Sequence, residues 1–244
     1  MKAAFKLIRA IFHLLRGIWI VKTRFSRSTS SERASHVERW SAQLLAIFGI
    51  QLKVLGAPIQ NGLLVANHIS WLDNVAIHAA HFCRFVAKSD IKAWPLIGYL
   101  TAQTGMLFIE RASRRDAHRV VARIAKRLQA GDCVAVFPEG TTGEGLELLP
   151  FHANMIQSAI DADSKVQPVA LQFIDTVSGK QSFAPCFVGD DTLLQSVWRT
   201  LRSSSITVVI QFGESQMHGG RDRRVWANDL RQTIHTMLKT QSAS

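Results

Sequence analysis

At 244 residues and 47% hydrophobic, the chain is long and apolar enough to bury a substantial core. That excludes a disordered protein and leaves room for one α/β domain with a small appendage. Twenty-nine Lys and Arg against 18 Asp and Glu give a formal net charge of +11, so the expected partner is polyanionic: nucleic acid, an anionic membrane surface or a phosphorylated substrate. Cys83, Cys133 and Cys186 are widely spaced in apolar settings without metal-ligand spacing, and read as core thiols kept in a reducing compartment.

From Lys2 to Val21, Phe5, Ile8, Phe12, Leu15 and Trp19 recur at steps of three and four, with Ala4, Ile11 and Ile18 widening the face. Lys2, Lys6, Arg9, His13 and Arg16 form a second stripe. Such a helix suits the headgroup boundary of a bilayer, apolar side in the acyl region and cations toward anionic lipid. A transmembrane span would carry Lys6, Arg9 and Arg16 through hydrocarbon, at about 2.5–3.5 kcal/mol for each central charge. A signal peptide fits no better, because the basic residues are interleaved with the apolar ones. The alternative is an ordinary amphipathic helix packed on its own domain.

Ser26 to Ser31 reads as a short polar connection, and Ser35 to Phe48 as a second amphipathic helix opened by Ser-x-x-Glu at Ser35 and Glu38. The two helices predict an N-terminal membrane-docking segment over 1–49, with a boundary near Gly49 and an α/β domain over 50–244.

Beyond Gly49, strand-like runs are expected at 52–55, 62–66, 84–87, 106–109, 133–137, 166–173 and 206–212. Helical patterns fall at 71–81, 95–104, 113–130, 152–160, 192–202 and 221–238. The interleaving predicts an α/β fold with a largely parallel central sheet flanked by helices. Ligands of such sheets gather at the carboxyl ends of the strands, which is where His68, Arg111 and Glu139 would converge.

Asn67-His68-Ile69-Ser70-Trp71-Leu72-Asp73 sets an imidazole five residues before a carboxylate, a combination that suits a general base and its orienter. On a continuous helix the two would point about 140° apart. Ser70 and Asp73 read as a capping box, which would leave His68 in the loop before the helix and Asp73 in its first turn. A capping Asp needs no catalytic partner, so the pair alone carries little. Arg111 ends a strand-like stretch from Gly105 and offers a fixed guanidinium for phosphate or carboxylate; a solvated basic edge is the other reading. In Phe137-Pro138-Glu139-Gly140-Thr141-Thr142 a buried strand runs into a turn whose hydroxyls and freed N–H groups suit an anion.

Taken in order, these blocks resemble the glycerolipid acyltransferase family, the PlsC-like enzymes that include 1-acyl-sn-glycerol-3-phosphate acyltransferases. That family carries N-H-x-x-x-x-D, a G-x-x-F-I-x-R-like block, F-P-E-G-T and V-x-P-V-A, and this chain shows all four between Asn67 and Ala170, about its middle half. The resemblance implies that His68 is the general base and Asp73 its partner. It implies that Arg111, Glu139, Gly140 and Thr141 bind the acceptor, with Lys88 a weaker candidate for the anionic site. It further implies acyl transfer from acyl-CoA or acyl-ACP to the hydroxyl of a lysolipid, 1-acyl-sn-glycerol-3-phosphate first, with no covalent enzyme intermediate, metal or cofactor. The setting implied is peripheral or monotopic, on the cytoplasmic face of the inner membrane. Many members that take phosphate-bearing acceptors have Arg directly after F-P-E-G-T. This chain has Thr142, which keeps lyso-ornithine lipid or another lysolipid open.

Two readings of other classes stand beside this one. The charge and six Trp allow a nucleic-acid-binding protein, although no helix-turn-helix, zinc-finger or single-strand-binding signature stands out. A non-catalytic lipid-binding module with the same fold is the second. A serine hydrolase is disfavoured because there is no G-x-S-x-G elbow. His78 and His81 share a helix face but read as packing or surface residues. Arg199, Arg202, Arg221, Arg223 and Arg224 could form a second basic patch for an acidic donor, or simply a solvated surface.

Overall fold

The computed structural model of the chain describes residues 2–109, 114–203 and 205–242. Helix α1 (Lys2–Arg24) and helix α2 (Ser30–Phe48) precede strands β1 (Ile50–Leu55) and β2 (Gly62–Ala66). Then follow α3 (Leu72–Ala80), β3 (Arg84–Lys88), α4 (Ile97–Gln103), β4 (Leu107–Ile109), α5 (Arg114–Gln129) and β5 (Cys133–Val136). The chain closes with α6 (Asn154–Asp161), β6 (Val166–Asp175), α7 (Leu193–Arg202), β7 (Ile206–Phe212) and α8 (Arg223–Ser242).

The strands form one seven-stranded sheet in the order β1-β7-β6-β2-β5-β3-β4. Neighbours are parallel except β6 and β7, where Asp175 lies opposite Ile206 because the connection carrying α7 starts and finishes at the same end of the sheet. Thus β1 and β7 run against the other five strands. Every residue of β2 is buried, and successive side chains point to opposite faces. Leu64 and Ala66 join the core made with Leu45 of α2, Ile77 of α3 and Leu201 of α7, while Leu63 and Val65 join Ile124 of α5, Ile156 of α6 and Trp226 of α8.

The N-terminal hairpin is locked by a reciprocal pair. The His13 ring stacks on Trp40 at 4.8 Å, Trp40 Nε1 donates to the His13 carbonyl at 3.0 Å, and His13 Nε2 lies 2.9 Å from the Trp40 carbonyl. Gly17 makes this approach possible, since a Cβ there would meet Trp40 Nε1 at 2.7 Å. Lys6 Nζ donates to the Phe48 carbonyl at 2.8 Å, supplying a cation to the carboxyl end of α2.

Two expected caps are corrected. Helix α2 begins at Ser30, because Thr29 and Glu32 make the reciprocal box, whereas Glu38 accepts from the Phe82 N–H at 2.9 Å. At α3 only the acid half of the expected box forms with Ser70. Asp73 accepts from the Ser70 N–H, but the Ser70 hydroxyl, while donating to the Pro185 carbonyl, accepts from the Leu72 N–H at 3.2 Å and not from that of Asp73, and helical residues start at Leu72.

Candidate active site

The site begins with strand register. Leu63 pairs with Val134 and Val65 with Val136, so β2 and β5 leave the sheet side by side and deliver His68 and Glu139 to one rim. The His68 N–H donates to Glu139 Oε1 at 2.7 Å, and the Leu149 N–H donates to Oε2 at 2.9 Å. Both carboxylate oxygens are therefore engaged by the loops they join. Burial pushes the Glu139 carboxyl above the usual range, and those two N–H groups pull it back.

Asp73 is fully buried in the first turn of α3. Its Oδ2 accepts from the N–H groups of Ile69 and Ser70 at 2.7 and 2.9 Å and lies 2.7 Å from His68 Nδ1. A carboxylate oxygen accepts only, so the imidazole proton sits on Nδ1 and Nε2 carries the lone pair. Among the described residues no group meets Nε2, and the His68 side chain keeps 20% of its surface open. The ring is held flat by Phe137, stacked at 4.0 Å and 10°, with Phe85 stacked behind at 5.8 Å. The ring is thus oriented at Nδ1 by Asp73 and on one face by Phe137.

Further contacts, invisible as chemistry in the sequence, fix the loop. Asn67 pairs its side-chain amide with both backbone groups of Leu171, donating at 2.9 Å and accepting at 2.8 Å, as a continuation of the β2–β6 ladder. The Gly143 N–H donates to the His68 carbonyl at 2.8 Å and the Phe187 N–H to the Ile69 carbonyl at 3.1 Å. The Thr142 hydroxyl donates to the Phe187 carbonyl. Gly145 is left-handed at φ +81°, and a Cβ there would meet Ile69 Cδ1 at 2.7 Å. Arg231 of α8 donates to the carbonyls of Leu148 and Leu149, bracing the segment that Glu139 holds. A polar residue directly after a wholly buried strand was the available signal for Asn67; none marked Arg231.

Of the other sequence candidates, Gly140 forms the turn at φ +75° with its N–H on the Phe137 carbonyl, and Thr141 is exposed on it. Lys88 ends β3 on the same rim, exposed and two strands from His68, about 10 Å across the sheet. Arg111 lies outside the described residues. The five C-terminal arginines are not one patch: α7 and α8 pack on opposite faces of the sheet. Arg199 is tied to Asp191 at 2.7 Å and Arg221 to Asp229 at 3.2 Å. His78 is buried, 2.8 Å from the Cys83 carbonyl through Nε2, and burial lowers its pKa to about 4, so it is a neutral packing residue. The three cysteines are buried free thiols.

A cavity of about 570 Å³ bordered by His218, Arg221 and Arg224 lies at the opposite end of the sheet. Its loop pairs Gln216 with Val166, which stands beside Leu63 at the start of β2. It is no part of the His68 site. Among the described residues no group of three or more His, Cys, Asp or Glu could hold a metal ion, and no helix is long and apolar enough to cross a membrane.

The sequence profile of the family described as Acyltransferase matches residues 53–172, a span that holds His68, Asp73 and Glu139. The chain is 39% identical over 201 residues to a lyso-ornithine lipid O-acyltransferase of Pseudomonas aeruginosa, covering 82% of this chain and 76% of that one. It is 42% identical over 173 residues to a 1-acyl-sn-glycerol-3-phosphate acyltransferase of Neisseria meningitidis, covering 69% and 67%. The crystal structure of the 1-acyl-sn-glycerophosphate acyltransferase PlsC from Thermotoga maritima superposes with a TM-score of 0.66 at 17% identity, over 95% of this chain and 97% of that one, and so shares the fold. The sequence profile, these relatives and the strand-end histidine together show that the chain belongs to the acyltransferase family.

Proposed function

We propose that the protein moves a fatty acyl chain from an acyl thioester, acyl-CoA or acyl-ACP, to the free hydroxyl of a lysolipid. The observation that carries this reading is the His68–Asp73 pair at 2.7 Å, with Nε2 facing outward at the rim. Nε2 takes the hydroxyl proton as the oxygen attacks the thioester carbonyl. Asp73 holds the tautomer and favours the imidazolium. Collapse of the tetrahedral species expels the thiolate, and the imidazolium returns its proton to sulfur. The thioester is already activated, so this route uses no metal or prosthetic group. Glu139 acts through His68 as a positioning residue, while Lys88, Thr141 and the Gly140 turn stand where a polar acceptor head would meet the rim; Arg111 is kept as the acceptor cation by resemblance.

The acceptor proposed first is 1-acyl-sn-glycerol-3-phosphate, on the 42% identical relative. Lyso-ornithine lipid is the second reading, on the 39% identical relative and on Thr142, whose hydroxyl is spent on the Phe187 carbonyl where a phosphate-binding Arg would stand.

Docking on the cytoplasmic face of the inner membrane completes the proposal. Phe5, Ile8, Phe12, Leu15 and Trp19 all lie exposed along α1, Phe12 with 67% of its surface open. Because Ala10 and Val21 of the same helix are buried, charge substitutions test docking better than deletion. Phe12→Glu with Trp19→Glu is expected to release the protein from vesicles; retention would reject α1 as the anchor. Purified protein offered lysophosphatidate and lyso-ornithine lipid with either thioester is expected to acylate one of them, and His68→Ala to lose about 10²–10⁴ of that rate. Undiminished turnover in His68→Ala would reject the base.

A further inference from the structure

A cavity of about 310 Å³ opens between α1 and α2, and its walls carry Arg16, Arg24, His36 and Arg39 beside Trp19 and Trp40. The surrounding charge is one-sided. Residues 1–49 hold nine Lys and Arg against two Glu, seven of the formal net +11. Both acids are engaged elsewhere: Glu32 closes the cap of α2 with Thr29, and Glu38 accepts from the Phe82 N–H. Among the described residues none of the three guanidiniums is ion-paired with a carboxylate; Arg16 donates to Gln43 at 2.7 Å and Arg24 lies over the Trp19 ring at 5.6 Å. His36 feels the excess, its pKa lowered first by burial and then by Arg39 and Arg24, against a smaller opposing pull from Glu32. Such a concentration of cations around a concave, partly apolar space suits a single tetrahedral anion.

The neighbouring surface decides which anion. Trp19 belongs at once to the cavity wall and to the exposed apolar stripe of α1, so a group in the cavity sits at the level where that stripe would meet a bilayer. Tryptophan at that level is the usual marker of the headgroup zone. The geometry points to a binding site for the phosphate of one anionic phospholipid headgroup, built across both helices of the hairpin. It rests on the docking reading above and adds to it a defined stoichiometric site, separate from the acyl acceptor at His68. The reciprocal His13–Trp40 lock gives the site its fixed walls.

The test compares the parent protein with two double variants of equal charge loss: Arg24→Gln with Arg39→Gln on the cavity wall, and Lys2→Gln with Arg9→Gln on α1 away from the cavity. Vesicles of phosphatidylcholine alone and of phosphatidylcholine with phosphatidylglycerol are sedimented with each, and thermal unfolding confirms that all three proteins fold. The cavity variant is expected to lose about tenfold more affinity for the anionic vesicles than the surface variant, since guanidiniums converging on one phosphate in a concave space outweigh diffuse attraction. On phosphatidylcholine alone the two variants should match. Equal loss on anionic vesicles overturns the site and leaves docking intact. A parent protein that ignores both vesicle types removes docking and the site together. Inorganic phosphate titrated without vesicles and followed by tryptophan fluorescence is the last arm: saturable binding lost in the cavity variant, with vesicle affinity unchanged, would make the occupant free phosphate and overturn the lipid assignment.

Discussion

The rim around His68 and the N-terminal hairpin are both polar sites on an apolar scaffold, but they treat charge in opposite ways. At the rim, Asp73 Oδ2 gathers three donors and Glu139 spends one oxygen on each of two loops, leaving one ring nitrogen open. In the hairpin, the shape is locked by the pair His13 and Trp40, while Arg16, Arg24 and Arg39 have no carboxylate partner among the described residues. The difference teaches where each region expects its partner. Holding one ring nitrogen to a fraction of an ångström calls for engaged neighbours, and among the described residues only Asp73 Oδ1 is left buried without a partner beside it. Attraction to a charged surface needs charge that the protein has not already neutralised.

The largest expected effect attacks the rim. Asp73→Asn keeps the shape but can turn its N–H₂ toward Nδ1 and stabilise the wrong tautomer, so turnover should fall by about 10³–10⁴ as for a triad acid, while vesicle affinity stays put. Rates within tenfold of the parent would mean that His68 needs no orienter. Next is Glu139→Ala, which leaves the N–H groups of His68 and Leu149 without acceptors, at about 1–3 kcal/mol for each, and by displacing His68 should cost about 10² in turnover. Glu139→Gln should restore part of both, since its Oε1 can serve only one of them; an alanine variant of parental stability and rate would dissolve the positioning role.

The third prediction probes the seam between the regions. His78 lies on the helix that carries Asp73 and stacks at 5.6 Å on Phe82, which in turn packs against Val21, Phe25 and Val37 of the hairpin. Its folded pKa, about 4, is below the unfolded 6.5. Between those values the unfolded chain binds the extra proton, so stability should be full above the upper value and fall as pH drops toward the lower, by about 3 kcal/mol in all. Denaturant titrations should show that slope become shallower in His78→Leu, the remainder coming from His13 and His81, whose pKa values burial also lowers; an unchanged slope would locate the acid sensitivity elsewhere. The smallest effect belongs to the hairpin. Gly17→Ala would gain about 1 kcal/mol of helix propensity were it not for Trp40. The clash should instead produce a loss of about 1–3 kcal/mol and weaker vesicle binding with turnover on dispersed substrate unchanged. A rise in thermal stability would show that the helices separate freely.

Much of this was legible residue by residue. The buried run of β2, the polar turn after β5 and the step of three and four in α1 each report a local period, and local periods follow from backbone geometry alone. Thr29 and Glu32 carried the start of α2 as plainly as Ser35 and Glu38 did; choosing between two local boxes required the Phe82 N–H that claims Glu38. Likewise the Ser70 hydroxyl accepts from the Leu72 N–H, one residue short of the expected box, and its donation to the Pro185 carbonyl, far along the chain, has no local signal.

What the amino-acid order determined by itself was the set of elements, the loop placement of His68 ahead of Asp73 and the one-sided charge of the first 49 residues, because these depend on neighbours within a few positions. Only the tertiary structure decided that β2 lies between β5 and β6, that Glu139 anchors the backbone of His68, and that arginines from two helices face one cavity. Those facts join residues tens of positions apart, through strand register and helix packing that no local pattern encodes.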